Sequence, residues 1–247
     1  MPLNDSQFMR YSRHLLMDDI AESGQQKLLD AHVLIVGMGG LGCPVSLYLA
    51  AAGVGELSLC DGDTVDHSNL QRQVLYTEDD CGKAKVACAQ ARLNALNADI
   101  KIHLYNEQLS SQILANSYDL VVDCTDNLAA RQQLNRHCVS HKIPLVSGSA
   151  LGWEGQLMAF DFADNERLCL NCIIDKDSAE PIMNCGNSGV VGPVLGAVGS
   201  LQATTVIRIL LGYFNQHGQI QRYDGKNGQW LGLVAEANQH CVICGTQ

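Results

Sequence analysis

The sequence predicts an α/β fold: a Rossmann-like, doubly wound, mostly parallel sheet with antiparallel strands near the C-terminal end. Three observations predict it. Short apolar runs alternate with helix-length segments through most of the chain. A glycine-rich turn follows the first of these runs. Near the C-terminal end, an Asp-Gly-Lys-Asn-Gly stretch separates two strand-like segments, which favours a hairpin.

The elements are expected in the following order along the chain. Residues 5–30 are expected to form one or two helices, so residues 1–30 form an N-terminal helical arm on a single domain, 1–247. The expected strands are residues 33–36, 57–60, 100–104, 120–124, 144–147, 156–162, 220–223 and 229–234. The expected helices are residues 41–52, 83–96, 128–141 and 190–211, and residues 164–187 are expected to be irregular.

The turn after the first strand matches the dinucleotide fingerprint G-x-G-x-x-G, through Gly37, Gly39 and Gly42. The first glycine allows a tight turn, the second lets a phosphate approach the backbone, and the third lets helix and strand pack closely. Asp61 ends the second strand, where an acidic residue would bind a ribose hydroxyl. We expect a nucleotide site here, and the alternative is a structural turn without a ligand.

Composition limits the class of protein. The net charge of −10 disfavours nonspecific nucleic-acid binding. The N-terminal segment is polar and does not resemble a secretory signal. Residues 190–211 are apolar but contain glycine, proline and arginine, so we expect a buried helix and no membrane association. These features predict a cytoplasmic protein whose eleven cysteines are reduced.

Two Cys-x-x-Cys pairs predict a metal site. The pairs are Cys169 with Cys172, and Cys241 with Cys244. Four thiolates form the tetrahedral set that a structural Zn²⁺ prefers, and they leave no position for a catalytic water. The alternatives are a thioredoxin-like redox pair or a coincidence of spacing.

Polar and charged residues follow the predicted strands at the edge where ligands bind in open α/β sheets. An enzyme that cleaves ATP between its α- and β-phosphates needs cations and a carboxylate for Mg²⁺. The candidates are Asn69, Gln71, Arg72, Lys85, Asp126 and Asn127. Alternatively, Arg72 and Lys85 are solvated surface charges, and Asp126 or Asn127 caps the next helix.

Several motifs together resemble the ThiF/MoeB/HesA adenylyltransferases, prokaryotic relatives of the ubiquitin-activating enzymes. The resemblance covers nearly the whole chain. The matching segments are residues 10–14 (Arg-Tyr-Ser-Arg-His), 37–42, 68–73, 123–127 and 189–193 (Gly-Val-Val-Gly-Pro), together with both cysteine pairs. It implies that the chain uses MgATP to adenylate the C-terminal Gly-Gly carboxylate of a small ubiquitin-like sulfur-carrier protein and releases pyrophosphate.

The resemblance also implies roles for individual residues. Gly40 and its neighbours would hold the phosphates, and Asp61 would hold the ribose. Asn69, Gln71, Arg72 and Lys85 would neutralise phosphates, Asp126 would bind Mg²⁺, and the four cysteines of the two pairs would bind zinc. Family members are homodimers, so Arg13 would reach the site of the partner subunit.

Cys185 lies in a polar, glycine-containing segment, where a thiol is expected to be exposed. In the thiamine-pathway members of the family, the matching cysteine can bond covalently to the C-terminus of the sulfur carrier. We therefore expect Cys185 to matter for sulfur transfer and not for adenylation. The alternative is a loop cysteine without a role.

The choice between pathways rests on details of loops and edges. Residues 150–158, the double valine at 190–191, and the segments 224–226 and 229–230 look more like ThiF than MoeB. No rhodanese-like segment follows the second cysteine pair, so a separate persulfide donor is expected. Activation of the molybdopterin-synthase carrier by the same chemistry is the nearest alternative.

Proteins of three different classes would share some of these features. A nicotinamide-dependent oxidoreductase would use the same glycine fingerprint, but Arg13, Arg72, Lys85 and Asp126 would have no evident role in it. A tRNA-modifying dehydratase also adenylates a carboxylate, and the net acidity disfavours it. A zinc-stapled binding module for a ubiquitin-like protein would keep the four cysteines and tolerate the loss of Asp126.

Overall fold

The computed structural model describes residues 3–163, 167–174 and 189–245. The described helices are α1 (Asp5–Arg10), α2 (Ser12–Leu15), α3 (Ala21–Asp30), α4 (Gly42–Ala52), α5 (Lys85–Leu96), α6 (Ser111–Leu114), α7 (Leu128–His141), α8 (Leu170–Ile173) and α9 (Gly192–Leu211). The described strands are β1 (His32–Val36), β2 (Glu56–Cys60), β3 (Lys101–Tyr105), β4 (Leu120–Asp123), β5 (Leu145–Leu151), β6 (Glu154–Phe160), β7 (Gln219–Asp224) and β8 (Gln229–Val234).

The strands form one sheet in the order β3-β2-β1-β4-β5-β6-β7-β8. The first five are parallel to one another, and β6, β7 and β8 are antiparallel additions to the edge at β5. This arrangement confirms the predicted α/β class, with its mostly parallel sheet and antiparallel C-terminal strands. Chain order reverses where β1 lies between β2 and β4, and such a switch point opens a crevice outside the carboxyl ends of the strands.

The central strands are buried on both faces because helices cover the sheet on each side. In β1, Val33 and Ile35 belong to the core beneath α4 and α9, whereas Leu34 and Val36 belong to the opposite core with α6 and α7. Helix α9 packs against α4, β5 and β6. It is also the helix, among those described, that is long and apolar enough to cross a membrane, and half of that apolar stretch is buried.

The segment between α1 and α2 is fastened to the body of the fold by Tyr11, which is almost fully buried. The Asn97 amide donates to the Tyr11 hydroxyl at 3.0 Å and to the Ala50 carbonyl at 2.8 Å. Gly53 has φ +83°, and a Cβ there would lie 2.5 Å from the Tyr11 ring. Asn97 therefore joins the N-terminal segment to α4.

Several element boundaries differ from the sequence prediction. The strand expected at residues 144–147 runs on to Leu151, and its partner begins at Glu154, because Leu151 and Glu154 pair across a tight turn. Helices α6 and α8 were not expected. Each has four residues, which is too short for a helical pattern of apolar residues to develop. Helix α8 lies in the stretch expected to be irregular.

We expect Asn97→Ala to lower the free energy of unfolding by about 1–3 kcal/mol, because it removes a donor from two buried oxygens. Urea denaturation followed by circular dichroism measures the change. Asn94→Ala, at an exposed position of the same helix, is the matched control and should change stability by less than about 0.5 kcal/mol. Equal stability of the two variants would contradict the anchoring role of Asn97.

Candidate functional site

A cavity of about 290 Å³ opens at the carboxyl ends of β1, β2 and β4, at the switch point of the sheet. Predicted site residues come together in its walls. They are Gly37, Gly39, Gly40, Asp61, Arg72, Lys85, Asp126 and Asn127. Four predicted residues, Gly42, Asn69, Gln71 and Arg13, are not among the described residues that line it.

Two of the fingerprint glycines are required by packing. Gly37 has φ +92°, and a Cβ there would lie 2.6 Å from the Cys124 carbonyl oxygen at the end of β4. A Cβ at Gly42 would lie 2.0 Å from the Gly37 carbonyl oxygen. Side chains at these positions would push β1, β4 and α4 apart. At Gly37 and Gly42, the tight turn and the packing of the chain are therefore enough to explain why the residue is glycine.

The glycines in the middle of the turn have different surroundings. The nearest atom to a Cβ built on Gly39 is Gln73 Nε2, at an ordinary contact distance of 3.6 Å. A Cβ on Gly40 would meet Leu195 of α9 at 2.6 Å. Packing would therefore tolerate a side chain at residue 39. Because glycine has none, the backbone there is open to the cavity, and a phosphate can approach it closely.

Asp61 stabilises the glycine turn through hydrogen bonds with backbone N–H groups. One of its carboxylate oxygens accepts a hydrogen bond from the Met38 N–H at 2.7 Å, and the other accepts from the Asp63 N–H at 2.8 Å. The Lys85 ammonium lies 2.9 Å from the Asp63 carboxylate and 4.0 Å from that of Asp61. Lys85 is only 5% exposed, so its reading as a solvated surface charge is wrong.

Arg72 belongs to the loop between β2 and α5. Its guanidinium donates to the Ser68 carbonyl at 3.1 Å and faces the cavity. Asn69 instead accepts from the Asp66 N–H at 3.4 Å within a short 3₁₀ turn, and Gln71 is exposed. Of the three residues predicted on this loop, the structure therefore places Arg72 at the cavity and leaves Asn69 and Gln71 outside its lining.

The sequence left open whether Asp126 or Asn127 caps α7, and the structure distinguishes the two residues. Asn127 caps α7, because its side-chain oxygen accepts from the Ala130 N–H at 2.8 Å. Asp126 is exposed on the cavity wall and makes no hydrogen bond or ion pair with the described residues. Its carboxylate is therefore accessible to a cation.

Sequence reasoning missed a buried network beneath Asp126. Asp123 is fully buried at the end of β4 and lies 2.9 Å from the Arg131 guanidinium of α7. Arg131 also donates to the carbonyls of Thr125 and Gly148, at 2.9 and 2.8 Å. The Ser147 hydroxyl donates to Asp123 at 2.6 Å. This network fixes the loop that carries Asp126 onto β5.

A signal for this network was present in the sequence. An aspartate ends the otherwise apolar run of β4, and an arginine occupies the first turn of the following helix, one helical turn after the Asn127 cap. Gln73 was missed as well. It is 4% exposed, lines the cavity, and its side-chain oxygen has no hydrogen-bond partner among the described residues.

The two thiols in the cavity wall are poor nucleophiles. Burial, with added repulsion from Asp61 and Glu107, raises the pKa of Cys60 to about 12. Burial and the neighbouring Asp123 raise the pKa of Cys124 well above its ordinary value. Because the thiolate is the reactive form, neither group is suited to covalent catalysis at neutral pH.

The four paired cysteines meet on the far side of the sheet. The sulfurs of Cys169 and Cys241 are 3.7 Å apart, and those of Cys172 and Cys244 are 3.3 Å apart. All four sulfurs lie within 4.8 Å of one another. Four thiolates around a zinc ion, each about 2.3 Å from it, are about 3.8 Å apart, so the cluster fits this metal.

Hydrogen bonds favour the ionised thiol at Cys241, whereas burial raises the pKa of Cys169 and of Cys244. Burial opposes ionisation of Cys241, but backbone N–H groups of Cys244 and Ile243 outweigh it and lower the pKa of Cys241 to about 6. The Asn171 amide adds a contact to the same sulfur at 3.7 Å. Cys185 lies outside the residues that the structure describes.

Arg13 is exposed on α2 and stands apart from the cavity of its own chain. Large apolar side chains on both sides of it are also exposed: Phe8, Met9, Leu16 and Met17. Such a patch is typical of a surface that another protein covers.

We expect Arg131→Met to lower the free energy of unfolding by about 3–5 kcal/mol, because it leaves the buried Asp123 carboxylate without its cation. Thermal and urea denaturation measure this loss. The matched control is Arg136→Met, at an exposed position of the same helix, which should change stability by about 0.5 kcal/mol or less. Similar stabilities for the two variants would show that the network does not hold the loop.

Comparison with known proteins gives a consistent family assignment. Residues 11–243 match the ThiF family. The sulfur carrier protein ThiS adenylyltransferase of Escherichia coli is 47% identical, with 98% of this chain and 97% of the relative aligned. The molybdopterin-synthase adenylyltransferase of the same organism is 42% identical, with 98% of both chains aligned.

Two further matches are more limited. The adenylyltransferase and sulfurtransferase MOCS3 of Drosophila willistoni is 42% identical over 99% of this chain, which spans 55% of that protein. A crystal structure of E. coli MccB with MccA-N7isoASN superimposes with a TM-score of 0.84 at 23% identity, covering 98% of this chain and 76% of that one. The structural likeness supports the fold, and the sequence matches show that the chain belongs to the ThiF family.

Proposed function

We propose that this chain is an ATP-dependent adenylyltransferase that activates the C-terminal Gly-Gly carboxylate of a ubiquitin-like sulfur carrier of the ThiS type. The reaction forms an acyl adenylate and releases pyrophosphate. One observation carries the proposal: the cavity at the switch point combines an open glycine turn with the cations of Arg72 and Lys85 and with the Asp126 carboxylate, which has no partner among the described residues. The full-length similarity to a ThiS adenylyltransferase supports the choice of carrier.

The cations address the electrostatic problem of the reaction. The attacking carboxylate and the triphosphate are both anionic, so they repel each other as they approach. Arg72 and Lys85 reduce this repulsion and stabilise the charge that develops at the α-phosphorus. A carboxylate is already ionised near neutral pH, so no general base is needed. Positioning in the cavity supplies much of the remaining rate enhancement.

Asp61 and Asp126 have separate tasks. The Asp61 carboxylate is held by backbone N–H groups on both sides, so it is preorganised to accept a ribose hydroxyl. Asp126 lies in the cavity wall and its carboxylate has no partner among the described residues, and an oxygen ligand of this kind suits Mg²⁺. When bound with ATP, Mg²⁺ would supply further neutralisation of the phosphates. The proposed cofactor-binding set also includes Asn127, which lines the cavity as well as capping α7, and Asn69 and Gln71, which lie on the same loop as Arg72 but outside the lining described here.

The carrier needs a docking surface from which its tail reaches the cavity. Strand β8 exposes Trp230, Leu231, Leu233 and Val234, and we propose that the carrier covers them. Three strand spacings, about 14 Å, separate β8 from β5, whose Ala150 lines the cavity. An extended tail of about five residues spans this distance, since each residue covers up to about 3.5 Å.

The proposal includes a homodimer in which Arg13 serves the partner subunit's cavity. The exposure of Arg13 away from its own cavity supports this role, as do the exposed apolar side chains of α1 and α2. We further propose that residues 1–247 act as one adenylation domain with a helical arm at 1–30. Cys185 would take part in sulfur transfer, and a separate persulfide donor would supply the sulfur.

The sharpest test is carrier-dependent exchange of labelled pyrophosphate into ATP. We expect Asp126→Asn and Arg72→Ala each to reduce the exchange rate by at least about 100-fold, because each removes charge compensation in the transition state. Asp79→Asn, at an exposed aspartate outside the cavity, is the matched control and should retain exchange. Retained exchange in folded Asp126→Asn and Arg72→Ala proteins would contradict the proposed mechanism.

The same assay separates the competing functions. A molybdopterin-synthase carrier supporting faster exchange than a ThiS-type carrier would favour MoeB-like activity, which the 42% identical relative keeps open. Binding of NADH without any exchange would favour an oxidoreductase.

We also propose that the four cysteines hold a structural Zn²⁺ that joins the α8 region to the segment after β8. We expect Cys244→Ser to lose about one equivalent of zinc, measured by atomic emission spectroscopy, and to lower the melting temperature, because the metal binds the folded chain only. Cys81→Ser, at an exposed cysteine outside the cluster, is the control. An unchanged zinc content in Cys244→Ser would contradict the site.

A further inference from the structure

We propose that His32, Glu56 and His103 form a second metal site, which would bind Zn²⁺ or a similar divalent transition-metal ion. The site lies on the sheet, at the end opposite the nucleotide cavity. The three residues lie on β1, β2 and β3. Their ligand atoms all lie within 4.8 Å of one another. Two imidazoles and a carboxylate form a donor set that suits Zn²⁺ and its neighbours in the transition series.

The register of the sheet places these side chains on one face. On β2, the residue that pairs with His32 is Glu56, and the residue that pairs with His103 is Ser58. Glu56 and Ser58 are two residues apart. Side chains two residues apart on a strand point to the same side. The cluster therefore rests on three rigid neighbouring strands and not on a loop, which favours a fixed ligand geometry.

Distances within the cluster agree with metal ligation. His103 Nε2 lies 3.0 Å from a Glu56 carboxylate oxygen. Two ligands of a tetrahedral zinc ion, each about 2.1 Å from the metal, are about 3.4 Å apart. His32 Nε2 contacts the Ser58 hydroxyl at 2.8 Å, and the imidazole centroids of His32 and His103 are 5.4 Å apart. Small side-chain rotations bring the three ligand atoms around one ion.

Groups around His32 hold its ring in an orientation that is common among metal-binding histidines. Its Nε2 contacts the hydroxyl of Ser58, the residue that pairs with His103 across β2 and β3, and a hydrogen bond to the Ser117 backbone acts on the same side chain. A histidine that binds a metal through one nitrogen commonly donates its other N–H to a backbone carbonyl, which fixes the tautomer. Tyr118 packs edge-on against the ring, with centroids 4.9 Å apart, and limits its rotation.

Lys101 sets the strength of the site. Its ammonium lies 2.8 Å from the other oxygen of Glu56. This charge competes with the ion for the same carboxylate, so the site would be exchangeable and weaker than the four-cysteine cluster. Occupation would tie the edge strand β3 to β1 and β2 and stabilise the folded chain by mass action.

Calorimetric titration of the purified full-length protein with ZnCl₂ tests the proposal. We expect wild-type protein to bind one more equivalent than His103→Ala, or to bind it at least about 10-fold more tightly. His103 is half-exposed, so its removal leaves the fold intact. Lys101→Gln should bind at least as tightly as wild type, because the competing charge is gone. Zinc should raise the melting temperature of wild type more than that of His103→Ala.

A second histidine pair provides the control. His137 and His141 stack on α7, with ring centroids 4.2 Å apart. His141→Ala should therefore bind like wild type if the ion lies between the strands. Undiminished binding in His103→Ala would overturn the proposal, and loss of the equivalent in His141→Ala would place the ion on α7 instead. The four-cysteine cluster is the same in all of these variants, so its occupancy does not affect the comparison.

Discussion

The close approach of two backbone segments at the switch point is the constraint on which the rest of the structure depends. Gly37 ends β1 in a left-handed conformation, with no room for a Cβ beside the Cys124 carbonyl at the end of β4. Because the two strand ends meet without side chains between them, the glycine turn and the Asp126 loop face each other across one narrow crevice. The same contact fixes the entry to α4, since Gly42 packs on the Gly37 carbonyl.

Charge organises the crevice in two layers. The inner layer is the buried Asp123–Arg131 pair, to which the Ser147 hydroxyl and the Gly148 carbonyl add hydrogen bonds. Buried ion pairs are costly to desolvate, so this one contributes positional definition more than net stability. The outer layer holds Lys85 between the carboxylates of Asp61 and Asp63 and contains Asp126, whose carboxylate has no partner in the part of the chain that the structure describes. A rigid inner layer thus supports an outer layer that is available to a ligand.

The sequence was sufficient to predict the sheet class, most elements, and the meeting of the glycine turn, Asp61, Arg72, Lys85 and Asp126 at one cavity. Each of these motifs is recognised from a short stretch of sequence. Because ligands bind at the carboxyl ends of parallel strands in open α/β sheets, a motif that follows a strand is expected to lie at that edge of the sheet. Arg131 and Gln73 were missed because burial of a polar side chain depends on tertiary partners. Likewise, Asn69 and Gln71 follow the same strand as Arg72, but loop conformation decides which side chains face the cavity.

Labelling the carrier carboxylate with ¹⁸O tests the central chemical claim most directly. Attack of that carboxylate on the α-phosphorus of ATP joins a labelled oxygen to AMP. Trapping of the acyl adenylate with hydroxylamine then breaks the carbonyl–oxygen bond and leaves the label in the AMP phosphate. We expect mass spectrometry to find one ¹⁸O in the AMP that is released. AMP without ¹⁸O under conditions of carrier-dependent turnover would contradict adenylation of the carboxylate in this cavity.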